Sequence, residues 1–303
     1  MSRVQWIGGQ AVLEGVMMRH RNWMAIACRR GDNSIGLHRE QLNPLAGRFP
    51  PLGWPLLRGA VSFFESLILG VRALNISAAQ ALAEEGEELK GWHSFVIVFL
   101  GLGLGIGLFF VLPTYLARFL PPAPPILLNL MEGFIRLFIF FSYLFLITRW
   151  GDVQRFFQYH GAEHKVIYCY EDAAALDPDH VKPYSTKHPR CGTSFILTVM
   201  IISILLFSLF GWPLLWQRIV IRLALLPLVA GLSYEAIRLT AGSRSPLVGL
   251  IALPGLWLQR MTTREPDKGQ IEVAISALKA VLDAPADFTT AGQTVSGEEV
   301  ADA

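Results

Sequence analysis

The chain has 303 residues, of which 52% are hydrophobic and 17% charged, and its mean hydropathy is +0.42. Those proportions exclude an ordinary soluble surface and place much of the chain in a membrane. With 26 Lys and Arg against 24 Asp and Glu there is no strong basic field, so nucleic acid is excluded as a partner and the lipid bilayer is the expected one.

The N-terminal stretch is interrupted by Glu14 within its apolar run, so it does not read as a secretory signal peptide. GGQAVLEGVMMR, residues 8–19, reads as a buried strand and turn; it lacks both the GKS or GKT ending and the GxGxxG spacing of phosphate loops. Two short runs flank the turn cluster Gly31, Asp32, Asn33 and Ser34 over residues 23–40, which predicts a hairpin. Residues 1–50 are therefore expected to form a small cytoplasmic β module. Over 52–83 charge recurs at Arg58, Glu65 and Arg72, a seven-residue spacing that draws one polar stripe down an apolar helix. Such a helix lies in the membrane interface, and 51–94 is read that way.

Residues 95–117 carry no formal charge and are long enough to cross roughly 30 Å of hydrocarbon as a helix. Four prolines between 121 and 125 make a tight turn, and 126–148 crosses back with Glu132 and Arg136 spaced to pair on one helix face. These two make a transmembrane hairpin over 95–148. A connecting loop, 149–192, leads to a second hairpin over 193–239. Its first arm, 193–210, is uncharged, and its second, 214–239, contains Arg218, Arg222, Glu235, Arg238 and Pro227. Residues 246–258 hold two prolines in an apolar stretch too short to cross, so 240–283 reads as an interfacial and cytoplasmic segment. The acidic tail 284–303 lacks the apolar material for a core and is expected to be disordered.

The fold class is thus a mainly α membrane protein with about four transmembrane helices, interfacial helices and the N-terminal β module. Lys and Arg number ten in 1–94, six in 149–192 and five in 240–303, against one in 118–125 and none in 211–213. The positive-inside rule places both termini and the central loop in the cytoplasm. Cys28, Cys169 and Cys191 form no CxxC pair, which fits that reducing side.

The central loop contains QYHGAEHKVIYCYED, in which His160, Glu163 and His164 satisfy HxxEH. On a helix the two imidazoles share a face and are placed to hold one Zn²⁺, with Glu163 near enough to act as general base on water. The plain alternative is two solvated histidines on a membrane-proximal helix. Further along, KHPRCGTSF brings His188 and Cys191 within three residues of each other around Pro189, a chelating clip of imidazole and thiolate. Glu235 is either a distant third ligand, as in inverzincin-like enzymes, or an ion-pair partner of Arg238 or Arg222. Glu14 is a candidate to enter the metal shell or to orient a histidine from behind the ligands. Arg260, Arg264 and Glu265, after an apolar stretch, read as residues beside anionic headgroups.

Taken in order, GGQAVLEGVMMR, YHGAEHKVIYCYE, HPRCGTSF and GLWLQRMTTREP resemble the YqhQ-like family of bacterial membrane proteins, over about residues 4–282. That family is a domain of unknown function described as predicted metal-dependent enzymes. The resemblance implies a protein of the bacterial inner (cytoplasmic) membrane with His160, Glu163, His164, His188 and Cys191 as its marked positions. Two functions follow as expectations: a metal-dependent hydrolase at the cytoplasmic face, or a non-catalytic scaffold or assembly factor with a structural zinc. A small transporter using Glu132, Arg136 and Arg222 ranks last, because no inverted halves or paired broken helices are visible.

Overall fold

The computed structural model describes residues 7–45, 49–82, 91–242 and 246–285. The tail expected to be disordered lies, beyond residue 285, outside the described residues. The chain begins with four antiparallel strands in sequential order: β1 (Ile7–Val12), β2 (Gly15–His20), β3 (Trp23–Arg29) and β4 (Ile35–Gln41). The hairpin expected over 23–40 is the second half of this meander, with Ala25 opposite Arg39 and Asn33 at φ 65° in the turn. The GGQAVLEGVMMR stretch supplies the other half, turning at Leu13 and Glu14 so that Gly9 lies opposite Met18.

Alternation along the strands sends side chains to two different cores. Met17, Met24, Ile26 and Cys28 meet Leu69, Ala73, Leu74 and Ile76 of α1 (Leu57–Leu82). Val16, Met18, Ala25 and Ala27 pack on the other side against α4 (Gly151–Glu171) and α8 (Lys268–Leu282). A sheet covered on both faces needs near-continuous apolar strands, which is why residues 24–28 are all buried. The start of α8 is set by a capping box, in which Asp267 accepts from the Gln270 backbone while the Gln270 side chain accepts from the Asp267 N–H.

The remaining helices form the apolar bundle. Helix α2 (Gly91–Ile106) continues through a π-helical turn (Gly107–Val111) into a last stretch (Leu112–Leu116), and α3 (Pro125–Ile147) starts with a proline in its first turn. Helix α5 (Gly192–Ser208), α6 (Leu215–Gly242) and α7 (Pro246–Thr262) follow, and Leu258 of α7 is buried with Phe140, Leu144, Leu197 and Met200. Among the described residues, four helices are long and apolar enough to cross a membrane: Leu57–Ala81, Val96–Phe119, Pro125–Ile147 and Leu215–Leu239. This set differs from the sequence expectation at two places. The 17 residues of α5 stop at Ser208 ahead of Gly211 and Pro213, whereas α1 is continuous and reaches the length of a span while its second half lies under the sheet. The 149–192 connection is not simply a loop, because α4 takes up 21 of its 44 residues.

Glu132 and Arg136 do pair, at 3.3 Å, but Glu132 gathers two further arginines from α6. Arg222 donates Nη2 to Oε2 at 2.7 Å and also binds Oε1, Arg218 lies 3.4 Å from Oε2, and the Thr114 hydroxyl donates to Oε1 at 2.8 Å. All four charged side chains are at most 6% exposed. This charge cluster ties α3, α6 and the end of the α2 run together deep in the bundle.

Candidate metal centre

The sheet and α8 hold α4 at the end of the bundle where α5 begins and α7 ends. Within α4, His160 and His164 are one turn apart, their rings 4.5 Å centre to centre. Each is held from behind by a backbone carbonyl: Nδ1 of His160 is 2.7 Å from the Thr262 oxygen, and Nδ1 of His164 is 2.6 Å from the Thr186 oxygen. A carbonyl only accepts, so both Nδ1 atoms carry the proton and both Nε2 atoms present a lone pair. Cys191 caps α5, taking the Thr193 N–H on its sulfur at 3.4 Å, and its Sγ is 3.1 Å from Nε2 of His160. One donor atom from each of His160, His164 and Cys191 lies within 4.8 Å of the others, and all three residues are buried.

Three buried polar atoms around this spot have no hydrogen-bond partner: Nε2 of His164, Oε2 of Glu163 and, a little further off, Nε2 of His188. Unpaired buried polar atoms are costly, and an imidazole lone pair beside a thiol is the donor set a soft or borderline cation takes. Donors bound to one tetrahedral Zn²⁺ sit about 3.4 to 3.6 Å apart, so coordination requires movement of about an ångström at most. The residues therefore fit a divalent metal.

Electrostatics follow from burial. Desolvation raises the Glu163 carboxyl to about 8, with Cys191 reinforcing and His160 opposing the shift. The His164 imidazole is drawn below its ordinary value, chiefly by burial. Burial pushes the Cys191 thiol up, but His164 and the Thr193 hydroxyl and N–H outweigh it and leave the thiol below its ordinary value.

The structure distributes the other expected site residues around this group. His188 is 3% exposed and its ring stands 5.7 Å from that of His164, but its Nδ1 accepts the Arg190 N–H at 3.3 Å and its Nε2 lies 3.7 Å from Glu171. Glu235 is elsewhere, with both carboxylate oxygens on Arg58 of α1 at 2.6 and 2.7 Å. Glu14, at φ 52° in the β1–β2 turn, takes both Nε and Nη2 of Arg155 and the Tyr159 hydroxyl. It thus anchors α4 one residue before His160 instead of touching a ligand.

Several contributors carry no metal-site signal of their own. A Cβ on Gly9 would stand 2.7 Å from Oε1 of Glu163, so the second glycine of GGQ leaves room for that carboxylate. A Cβ on Gly161 would stand 2.0 Å from the Arg264 carbonyl, so the glycine of HGAEH admits the segment that follows Thr262 at the end of α7. The Lys165 ammonium, 3% exposed, is saturated by the Lys182 and Tyr184 carbonyls at 2.6 Å and by Glu265 at 2.7 Å, which fastens the segment leading to Thr186. Gln259 is fully buried and clasps His188, accepting its N–H at 2.7 Å and donating to its carbonyl at 2.8 Å. Arg264, read as a headgroup contact, donates its side chain to the Thr148 carbonyl at 3.1 Å and its backbone N–H to the Phe157 carbonyl, and Glu265 pairs with Lys165.

A family model described as a protein of unknown function (DUF1385) matches residues 54–284. The chain belongs to that family. A curated relative, "Uncharacterized protein YqhQ" of Bacillus subtilis (strain 168), is 34% identical over 295 residues, covering 91% of this chain and 92% of that one. No solved structure matches. The DUF1385 match contains His160, Glu163, His164, His188 and Cys191, while Gly9 and Glu14, which pack on α4, precede it.

Proposed function

We propose that the protein is a metal-dependent hydrolase of the bacterial inner membrane, with both termini and the metal centre on the cytoplasmic side, where cationic residues concentrate. The observation that carries this reading is the set of three converging donors, His160, His164 and Cys191, with the unpartnered oxygen of Glu163 beside them. Three protein ligands leave one position open, the arrangement of catalytic zinc. When bound, the metal supplies Lewis acidity and activates water near neutral pH.

The chain's own residues do the rest. The Thr262 and Thr186 carbonyls keep the two imidazoles in the liganding tautomer. Glu163, in its ionised form, takes a proton from water on Oε2 and returns it to the leaving group. Gly9 and the sheet keep that carboxylate out of bulk water. A closed structural site, as a scaffold would use, needs a fourth ligand; His188 is the candidate, but its Nδ1 accepts the Arg190 N–H, its ring centre is 5.7 Å from that of His164, and it is not in the group whose donor atoms lie within 4.8 Å of one another.

The test is metal content of the purified full chain, with Co²⁺ replacing the native metal to read thiolate coordination from its absorption. His164→Ala and Cys191→Ser should each lose metal, and Cys191→Ser should lose the thiolate band. Glu163→Gln should hold parental metal, since a base is not needed for coordination. Parental metal in His164→Ala sinks the metal centre altogether, and metal loss in Glu163→Gln makes Glu163 a ligand instead of a base.

A further inference from the structure

A cavity of about 890 Å³ lies between β1, β2, α1, the start of α5 and the end of α6, and Cys191 forms part of its wall. The metal centre therefore has a direct neighbour large enough for a sizeable ligand. Its walls are apolar where helices line it, with Phe63 and Leu67 from α1 and Phe195 and Ile196 from α5. Phe63 and Phe195 touch across it at 5.5 Å between ring centres. Among the described residues the charge lining it has one sign: Arg19, Arg190 and Arg238 line the space and no described Asp or Glu does. Arg190 is paired with Glu171, and Arg58 and Arg238 share the single charge of Glu235, which Arg58 holds directly, so Arg19 and the Arg58 and Arg238 pair leave a positive surplus.

Two of the lining helices, α1 and α6, are among those long and apolar enough to cross a membrane, and α1 exposes Phe64 and Ile68 outward from the same turns. An apolar space with an unneutralised cationic lining, walled by such helices, matches an amphiphile with an anionic head and a hydrocarbon chain. A small water-soluble anion leaves the apolar walls unused, and a neutral lipid leaves the arginines unpaired. We propose that this cavity binds an anionic membrane lipid, its headgroup against Arg19 and Arg238 and its chain over Phe63, Leu67 and Phe195, and that such a lipid is the substrate class delivered to Cys191. The substrate assignment rests on the hydrolase reading; the binding site does not.

The full chain in detergent is offered phosphatidylglycerol or phosphatidylcholine, and the lipid it retains is counted by native mass spectrometry alongside its metal. The parent should keep phosphatidylglycerol in preference to phosphatidylcholine. Arg19→Gln and Arg238→Gln should each weaken that binding about fivefold, the effect of losing one cation near an anionic headgroup. Ser66→Trp, which sets an indole into the cavity where the chain would lie, should weaken it further, and all three variants should keep parental metal. Equal retention of the two lipids, unchanged binding in both arginine variants, or displacement of phosphatidylglycerol by millimolar inorganic phosphate overturns the lipid site. Lipid preference in a protein that holds no metal sinks the hydrolase reading alone, whereas loss of preference with metal intact sinks the lipid alone.

Discussion

Replacing Gly161 by alanine sets two effects of opposite sign against each other. Helix propensity favours the change by about 1 kcal/mol, since Gly161 sits in the interior of α4. Against it stands the added methyl, which would lie 2.0 Å from the Arg264 carbonyl oxygen, 3.2 Å from its carbon and 3.3 Å from Cγ2 of Thr186. Relief requires a backbone shift of more than an ångström, and overpacking of this kind costs about 1 to 3 kcal/mol. The balance is a loss of up to about 2 kcal/mol, or several degrees in thermal midpoint at about 2 to 4 °C per kcal/mol. The displaced segments are the two that hold the histidines, through Thr262 and Thr186, so metal affinity should fall about 10- to 100-fold, as when supporting partners of ligands are lost. The assay is thermal unfolding in detergent at one scan rate, with a metal titration on the same samples. Gly151→Ala is the control, because nothing stands within 4 Å of a Cβ there. A Gly161→Ala protein that melts at or above the parent and binds metal equally well refutes the reasoning.

Glu132→Gln should be far more damaging than a typical single change, since it strands Arg136, Arg218 and Arg222 in the bundle at a cost of about 3 to 5 kcal/mol. Folded yield in detergent measures it, and adding Arg222→Gln to that background should recover part of the loss; no recovery means the arginines do not depend on Glu132. Cys28, pushed up to about 12 by burial, with the Glu14 charge adding to the shift, should resist a thiolate-selective reagent at pH 9 until the protein is unfolded. A raised thiol pKa contributes stability that is complete below the unfolded value near 9 and is lost as pH climbs towards 12, so alkaline unfolding should sharpen over that interval and be milder in Cys28→Ala.

Local chemistry was enough to write several features from the sequence alone. Helical periodicity puts His160 and His164 on one face because i and i+4 are neighbours on any α-helix. Long apolar runs announce 96–119 and 125–147, and turn residues announce the β3–β4 hairpin, since each depends on a few adjacent side chains. Long-range pairing is different in kind. Only the tertiary structure brings Cys191 to His160 across 31 positions, lays Thr262 behind that histidine across 102, and sends Glu235 to Arg58 across 177. The sequence left Glu235 and the His188 and Cys191 clip as open choices because hydrophobic patterns define which face of an element is buried, not which element it is buried against. The same limit hid the second and third arginines of Glu132, which lie on α6 some ninety residues away. It also hid the role of Gly161, which reads as a weak point in a helix until the Arg264 carbonyl is found resting on it.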